Sequence, residues 1–185
     1  MSACSLRKAT LGDRPALEEL IAESARGLSR PDYTDAQVEA ALGSAFGVDS
    51  ELIADGTYFV AEADGRLVGC GGWSRRGTLF GSDAQPGRRS EPLDPARDSA
   101  RIRAFFVHPD WARRGIGRAI LERCEAEALA HGFRSAELLA TLPGHKFYRT
   151  QGYTGDKAAE YALPGGITID FIPMRKDLVE GRSER

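Results

Sequence analysis

The sequence predicts an α/β domain built on one sheet of mixed strand direction. Three observations carry that prediction. Some apolar runs alternate with period two and others recur at helical spacing. The two kinds interleave in the order β-α-α-β-β-β-α-β-α-β-β, which belongs to a mixed α/β sheet. One pair of runs is joined by a tight Asp64-Gly65 turn, whereas Phe105–Ala128 passes from strand to helix. A chain of 185 residues is the length of one domain, spanning 1–185.

Each element has a local reason. Leu6–Ala9 reads as the first strand. Thr10 or Asp13 is placed to cap a helix with Pro15 in its first turn, where Leu17, Leu20, Ile21 and Leu28 follow helical spacing. A second helix after Thr34 carries Val38, Ala41, Leu42 and Ala45. Thr57–Ala63 and Arg66–Trp73 alternate around Asp64-Gly65 as a hairpin. Residues 75–98 are rich in Gly, Pro, Ser, Asp and Arg and read as a long surface loop. Arg101–Val107 is a strand ended by Pro109. In the helix that follows Gly117, Ile116, Ile120, Cys124 and Ala128 stand four apart, and His131-Gly132 stops it. Ser135–Thr141 is a strand broken by Pro143-Gly144. HKFYRTQ is a short helix ended by Gly152, and strands over Tyr153–Ala162 and Ile167–Met174 close the chain.

Composition narrows the function classes. The formal net charge is −2, so no global field recruits nucleic acid or an anionic membrane. The three cysteines, Cys4, Cys70 and Cys124, form no CxxC pair and are odd in number, which fits free thiols in a reducing compartment. The first residues carry no apolar signal region, and no apolar run reaches the ~18 residues of a membrane span. The expectation is a soluble cytoplasmic protein.

The chemistry concentrates in the turn before the longest helical run of the second half. Gly115 and Gly117 strip two Cβ atoms from it, so a ligand can approach the main chain. Free N–H groups of the helix's first turn favour an anion, and Arg113, Arg114 and Arg118 add charged donors suited to phosphate. The same residues would also make a tight turn before a solvated basic helix face. A dinucleotide fingerprint would need Gly or Ala where Ile120 stands, and no Gly-Lys-Ser/Thr follows at the spacing of a triphosphate loop.

VHPDWARRGIGRAILERCEAEA resembles the acetyl-CoA-binding motif Gln/Arg-x-x-Gly-x-Gly/Ala of the GCN5-related N-acetyltransferase (GNAT) superfamily. TLPGHKFYRTQGY, from Thr141 to Tyr153, is similar to that superfamily's FY…GF/GY segment and follows at the right separation. The element order matches from Leu6 to Leu178, and GITIDFIPMRKDL is like the usual last strand. The resemblance implies a mixed, mostly antiparallel sheet of about six to seven strands flanked by about four helices. It also implies an acetyl-CoA-dependent N-acetyltransferase with an amine acceptor and no metal. There are departures: Ala112 stands at the Gln/Arg position, Thr141 replaces a frequent Asn, and ARIRAFFV lacks the glutamate many members use as a base.

Roles follow from the resemblance. The pyrophosphate falls to Arg113, Arg114, Gly115, Ile116, Gly117 and Arg118, and the pantetheine arm to the main chain of Phe106 and Val107. An amide near Val107 is also placed to polarise the thioester carbonyl. Thr141 offers a hydroxyl. Tyr148 matches the tyrosine that protonates the departing sulfur. Glu62, Glu137, His108 or a relay of ordered water remain as candidates for the base. The acceptor pocket belongs to the first two helices and the loop before the cradle strand. There Arg75, Arg76, Arg88, Arg89 and Arg97 either suit an acidic acceptor or make a solvated loop balanced by Asp83, Glu91, Asp94 and Asp98, and Tyr33 and Trp73 are candidates for pocket wall or core. The acceptor is a small molecule or a protein, and a homodimer is compatible with the chain. Two rival readings stand beside the enzyme: a catalytically impaired acyl-CoA sensor, and a binding module for another phosphorylated ligand.

Overall fold

A computed structural model describes residues 4–179. One seven-stranded sheet runs through them in the order β1-β2-β3-β4-β5-β7-β6. The strands are β1 Ser5–Lys8, β2 Tyr58–Ala63, β3 Arg66–Ser74, β4 Ala100–Val107, β5 Ser135–Thr141, β6 Ala159–Ala162 and β7 Thr168–Asp177. Every ladder is antiparallel except β4 with β5, which the crossover helix makes parallel.

The helices are α1 Arg14–Leu28, α2 Asp35–Leu42, α3 Ser50–Ala54, α4 Ile116–Ala130 and α5 His145–Thr150. They divide the core between the two faces of the sheet. Leu17, Leu20 and Ile21 of α1 and Val38 of α2 pack with Tyr58 and Val60 on one face. Ile116, Ile120 and Cys124 of α4 and Tyr148 of α5 pack with Phe59 and Ala61 on the other. The alternation along β2 is the period-two pattern of a strand buried on both sides. Among the described residues no helix is long and apolar enough to cross a membrane.

The glycines of β3 allow close approach. A Cβ on Gly69 would stand 2.5 Å from Ile116 Cγ2, and one on Gly71 would stand 2.7 Å from the Phe105 ring. Their absence lets α4 and Phe105 lie directly on the strand. Cys70 and Cys124 are buried and Cys4 is exposed, all as free thiols. Burial pushes the Cys70 thiol up to about 12.

Three elements differ from expectation. Helix α3 was not foreseen; Asp49 caps it by accepting from Leu52 N–H at 3.4 Å. Helix α2 stops at Leu42, because Gly43 follows and Phe46 N–H turns back to Ala41 O at 2.7 Å. The strand expected over Tyr153–Ala162 narrows to Ala159–Ala162. Thr154 makes only an isolated bridge to Arg175, and Gly155 at φ +135 presses against Pro173 O where a Cβ would sit at 2.2 Å.

The β3–β4 loop is fastened by its arginines. Arg76 pairs with Asp55 at 2.7 Å, Arg97 with Asp94 at 2.9 Å, and Arg88 with Asp49 at 3.0 Å. Thr78 and Arg89 tie its two arms, and the Ser82 hydroxyl donates to Ser44 O at 2.7 Å. Asp49, fully buried, also pairs with Arg103 of β4, whose side chain is 1% exposed. Burial pulls the Arg103 guanidinium below its ordinary range and the Asp49 charge opposes this. Removing Asp49 would leave Arg103 buried and uncompensated. Asp49→Ala should therefore cost about 3–5 kcal/mol of folding stability, read as a lowered urea midpoint. A loss below about 1 kcal/mol would show that this pair does not anchor the loop.

Candidate active site

Strands β4 and β5 pair at only two positions, Ala100 with Ala136 and Arg101 with Glu137. The Arg101–Glu137 ion pair sits at the last of them. From Ile102 onward β4 has no ladder to β5, and a cavity of about 750 Å³ adjoins the opening. It meets the β4–α4 turn, the Tyr148 ring on α5, and an apolar chamber beneath α1 and the β3–β4 loop.

A bulge shapes β4 at the opening. Cys70 opposes Phe106 and Gly72 opposes Arg103, so β4 carries one residue more than β3 between these pairs. Ala104 takes φ +57, a left-handed conformation that costs an L residue about 1 kcal/mol. Its carbonyl is held from behind by the Tyr58 hydroxyl at 3.4 Å and the Cys70 thiol at 3.6 Å. Beyond the bulge, Val107 N–H donates to Ser24 Oγ of α1 at 3.2 Å. The amide assigned by resemblance to the thioester is thus engaged by a hydroxyl, and Ser24 itself lines the cavity.

At the turn, Gly115 is the N-cap of α4 at φ +83 and Arg113 lies at φ +62. The first helical bond is Ala119 N–H to Gly115 O at 3.0 Å. The amides of Ile116, Gly117 and Arg118 therefore lack intrahelical partners and suit an anion. A Cβ on Gly117 would meet the Phe147 ring at 3.4 Å, so this glycine also seats α5 against α4. The arginines separate here. Arg113 and Arg118 line the cavity, with Arg118 also bonded to Glu122 at 2.7 Å. Arg114 instead stacks over the Trp111 ring at 4.8 Å. Ala112 contributes only a methyl to the wall.

Phe106, Val107, Ile116, Thr141 and Tyr148 all line the cavity as well. Thr141 Oγ1 accepts from Gly144 N–H at 3.1 Å, which shapes the turn into α5 and leaves the hydroxyl proton free. The Tyr148 ring packs edge-on against Phe105, Phe147 and Tyr153. Burial drives its phenol well above the ordinary range, so it stays protonated.

The candidates for a base lie elsewhere. Glu62 bonds Arg7 at the sheet's β1 edge, and Glu137 is held by Arg101. His108 accepts from Asp110 N–H on Nδ1 at 3.1 Å and presents Nε2 to Glu23 at 3.1 Å. None of the three lines the cavity, and among the described residues no Asp, Glu or His does. Trp73 and Tyr33 prove to be core. Trp73 is fully buried with Nε1 donating to Glu127, and Tyr33 accepts from Leu142 N–H while donating to Asp170 O. Sequence reading missed Ser24, Phe46, Leu79, Phe80 and Phe171 of the wall. The adjacent Leu79-Phe80, an apolar pair inside a polar loop, was the one local signal.

The Acetyltransferase (GNAT) family model matches residues 16–153. The chain belongs to the GNAT acetyltransferase family. Solved structures share its fold. A GCN5-related N-acetyltransferase from Rhodopseudomonas palustris is 21% identical with a TM-score of 0.70, covering 96% of this chain and 97% of its own. The PaiA N-acetyltransferase of Thermoplasma acidophilum, solved with coenzyme A, is 17% identical with a TM-score of 0.65, covering 95% and 99%. YncA of Salmonella typhimurium, solved with acetyl-CoA, is 18% identical with a TM-score of 0.62, covering 99% and 98%. A search of curated proteins gave no match. Among the described residues no cluster of three or more His, Cys, Asp or Glu side chains is arranged to hold a metal ion.

The arginine geometry predicts unequal roles in this GNAT turn. Arg113→Ala should weaken coenzyme A binding by about 1–3 kcal/mol at low salt, the range for a lost bond to a charged group. Arg114→Ala should stay within about 0.5 kcal/mol of the parent, as a surface change does. Calorimetry on the two variants reads the difference; equal losses would contradict the assignment.

Proposed function

We propose that this chain transfers the acetyl group of acetyl-CoA to a primary amine. The observation that carries the reading is the parting of β4 from β5. It brings a helix terminus with free amides, a buried tyrosine and an apolar chamber into one cavity. The CoA-bound relatives support the choice of thioester ligand. The residues fit it: free amides at Ile116–Arg118 and the Arg113 side chain suit a pyrophosphate, and unladdered β4 main chain suits an amide-bearing arm. We place the reaction in a single domain in the cytoplasm, in keeping with the free thiols of Cys4, Cys70 and Cys124.

The amine nitrogen attacks the thioester carbonyl carbon, a C–N bond forms, and the C–S bond breaks. Tyr148 gives its phenolic proton to the leaving sulfur and recovers one from the nitrogen through water. Positioning supplies much of the rate, because both reactants lie in one cavity. Ser24, whose oxygen is occupied by Val107 N–H, keeps its own proton for the carbonyl oxygen.

Tyr148→Phe keeps the ring and removes only the donor. Turnover should fall by roughly 10²–10⁴ if proton donation is lost, or about tenfold if water substitutes, at constant acetyl-CoA affinity. Thiol release at saturating amine checks this, and parental turnover in the variant would take Tyr148 out of the mechanism. Among the described residues no Asp, Glu or His lines the cavity to serve as a base, which also favours a second reading, an acyl-CoA sensor. A protein that binds acetyl-CoA and releases thiol with none of a broad amine panel would establish it.

The same lack predicts a pH profile. An acceptor with a pKa near about 10.4 reacts only as its free base. Without a dedicated base, kcat/KM should climb close to tenfold per pH unit from 7 to 9. Tyr148 must be protonated to act, and burial raises its pKa, so no alkaline decline should come from it below about pH 10. A plateau from neutral pH upward would reveal a base on the protein.

A further inference from the structure

We infer that the acceptor is a small amine with an apolar body of aromatic size and no second cationic group. The inference rests on the proposed acetyl transfer and adds the substrate class.

The chamber walls come from four separated stretches. Phe46 follows α2, Leu79 and Phe80 belong to the β3–β4 loop, Leu139 to β5 and Phe171 to β7. Their rings are already arranged edge to face. Phe46 meets Phe106 at 5.6 Å, and Phe80 meets Phe171 at 5.7 Å and Tyr161 at 5.2 Å. A further ring or branched chain would extend this packing and leave water, with both gains favouring an apolar guest.

The charges of the wall argue the same way. Among the described residues the cavity is lined by four cationic residues, Arg103, Arg113, Arg118 and Lys146; Arg113 and Arg118 belong to the β4–α4 turn and Lys146 to α5, and Arg103 is buried against Asp49 and the Gly81 carbonyl. Among the described residues no carboxylate lines the cavity. The second ammonium of a polyamine or aminosugar would meet no free counter-charge in this wall, because Asp49 is already paired with Arg103 and Arg88, which is strongly unfavourable.

The loop limits the size of the guest. Leu79, Phe80 and Gly81 line the chamber, and the next residue, Ser82, is pinned to Ser44 O by its N–H at 2.9 Å and its hydroxyl at 2.7 Å. Arg88 fixes the loop to Asp49. A wall tied down at two points suits a compact amine better than an extended polypeptide.

The test compares phenethylamine with putrescine, spermidine and a peptide with N-terminal phenylalanine, by thiol release from acetyl-CoA. Calorimetric titration of each into the protein–CoA complex reads the same preference without turnover. Phenethylamine should lead every rival by at least about tenfold in kcat/KM or affinity. Leu79→Asp, at a partly exposed position, should cut the lead over putrescine by at least about tenfold while leaving acetyl-CoA affinity unchanged. A lead for a polyamine or the peptide, or an unchanged ratio in Leu79→Asp, would overturn the inference. Absence of acetyl-CoA binding in the parent protein would instead overturn the acetyl-transfer reading, so the two failures are distinguishable.

Discussion

Strand β4 cannot follow β5 beyond Arg101, and the site is a consequence of that. Parallel strands joined by a crossover helix are usually laddered along their length. Here β5 is committed to β7 over seven residues, Ser135 to Thr141, and β4 to β3. The extra residue at the β4 bulge bends that strand, and the Arg101–Glu137 pair fixes where the two diverge. The gap leaves polar main chain inside the protein, which is tolerable only where partners stand ready. Tyr58 and Cys70 supply them at Ala104, and Ser24 supplies one at Val107. The strained residue Ala104 therefore sits where two buried side chains, Tyr58 and Cys70, meet its carbonyl.

A second constraint follows from the first. An open cavity needs walls that do not collapse into it, and its loop wall, Leu79–Gly81, belongs to no helix or strand that would hold it in place. The buried Arg103–Asp49–Arg88 cluster meets this need by linking β4, the α3 cap and the loop. Such a cluster is costly to desolvate and adds little net stability. Its contribution is geometric: it fixes the distance between the β4 strand and Leu79–Gly81 across the chamber.

Legibility in the sequence divides along the same line. The two glycines at 115 and 117 and the fourfold spacing of Ile116, Ile120, Cys124 and Ala128 are local signals, so the glycine turn and α4 were readable. The Asp64-Gly65 hairpin was readable for the same reason. Helix α3, five residues long, is too short to show a period and is announced only by its cap, Asp49. The loop read as a solvated, charge-balanced segment because its ionic partners lie far off; Arg88 meets Asp49 across 39 residues and Asp49 meets Arg103 across 54. The phenylalanines of the chamber come from segments with no shared pattern. Glu62, Glu137 and His108 were chosen by type and approximate strand position, and strand position alone does not say which end or face of the sheet a side chain reaches.

On the proposed reading, one property of the chamber settles two questions together. An amine must lose a proton before it attacks, and among the described residues no Asp, Glu or His lines the cavity to take it. Desolvation supplies part of the answer, since a low-dielectric wall disfavours the ammonium and lowers the amine's pKa. An apolar body that seats the nitrogen deeply would thus favour the reactive free base as it binds. A polycation would retain a second charge in the same wall and lose both the seating and the deprotonation. Selectivity for apolar amines and chemistry without a dedicated base would then have one cause, the aromatic wall that the parting of β4 and β5 exposes.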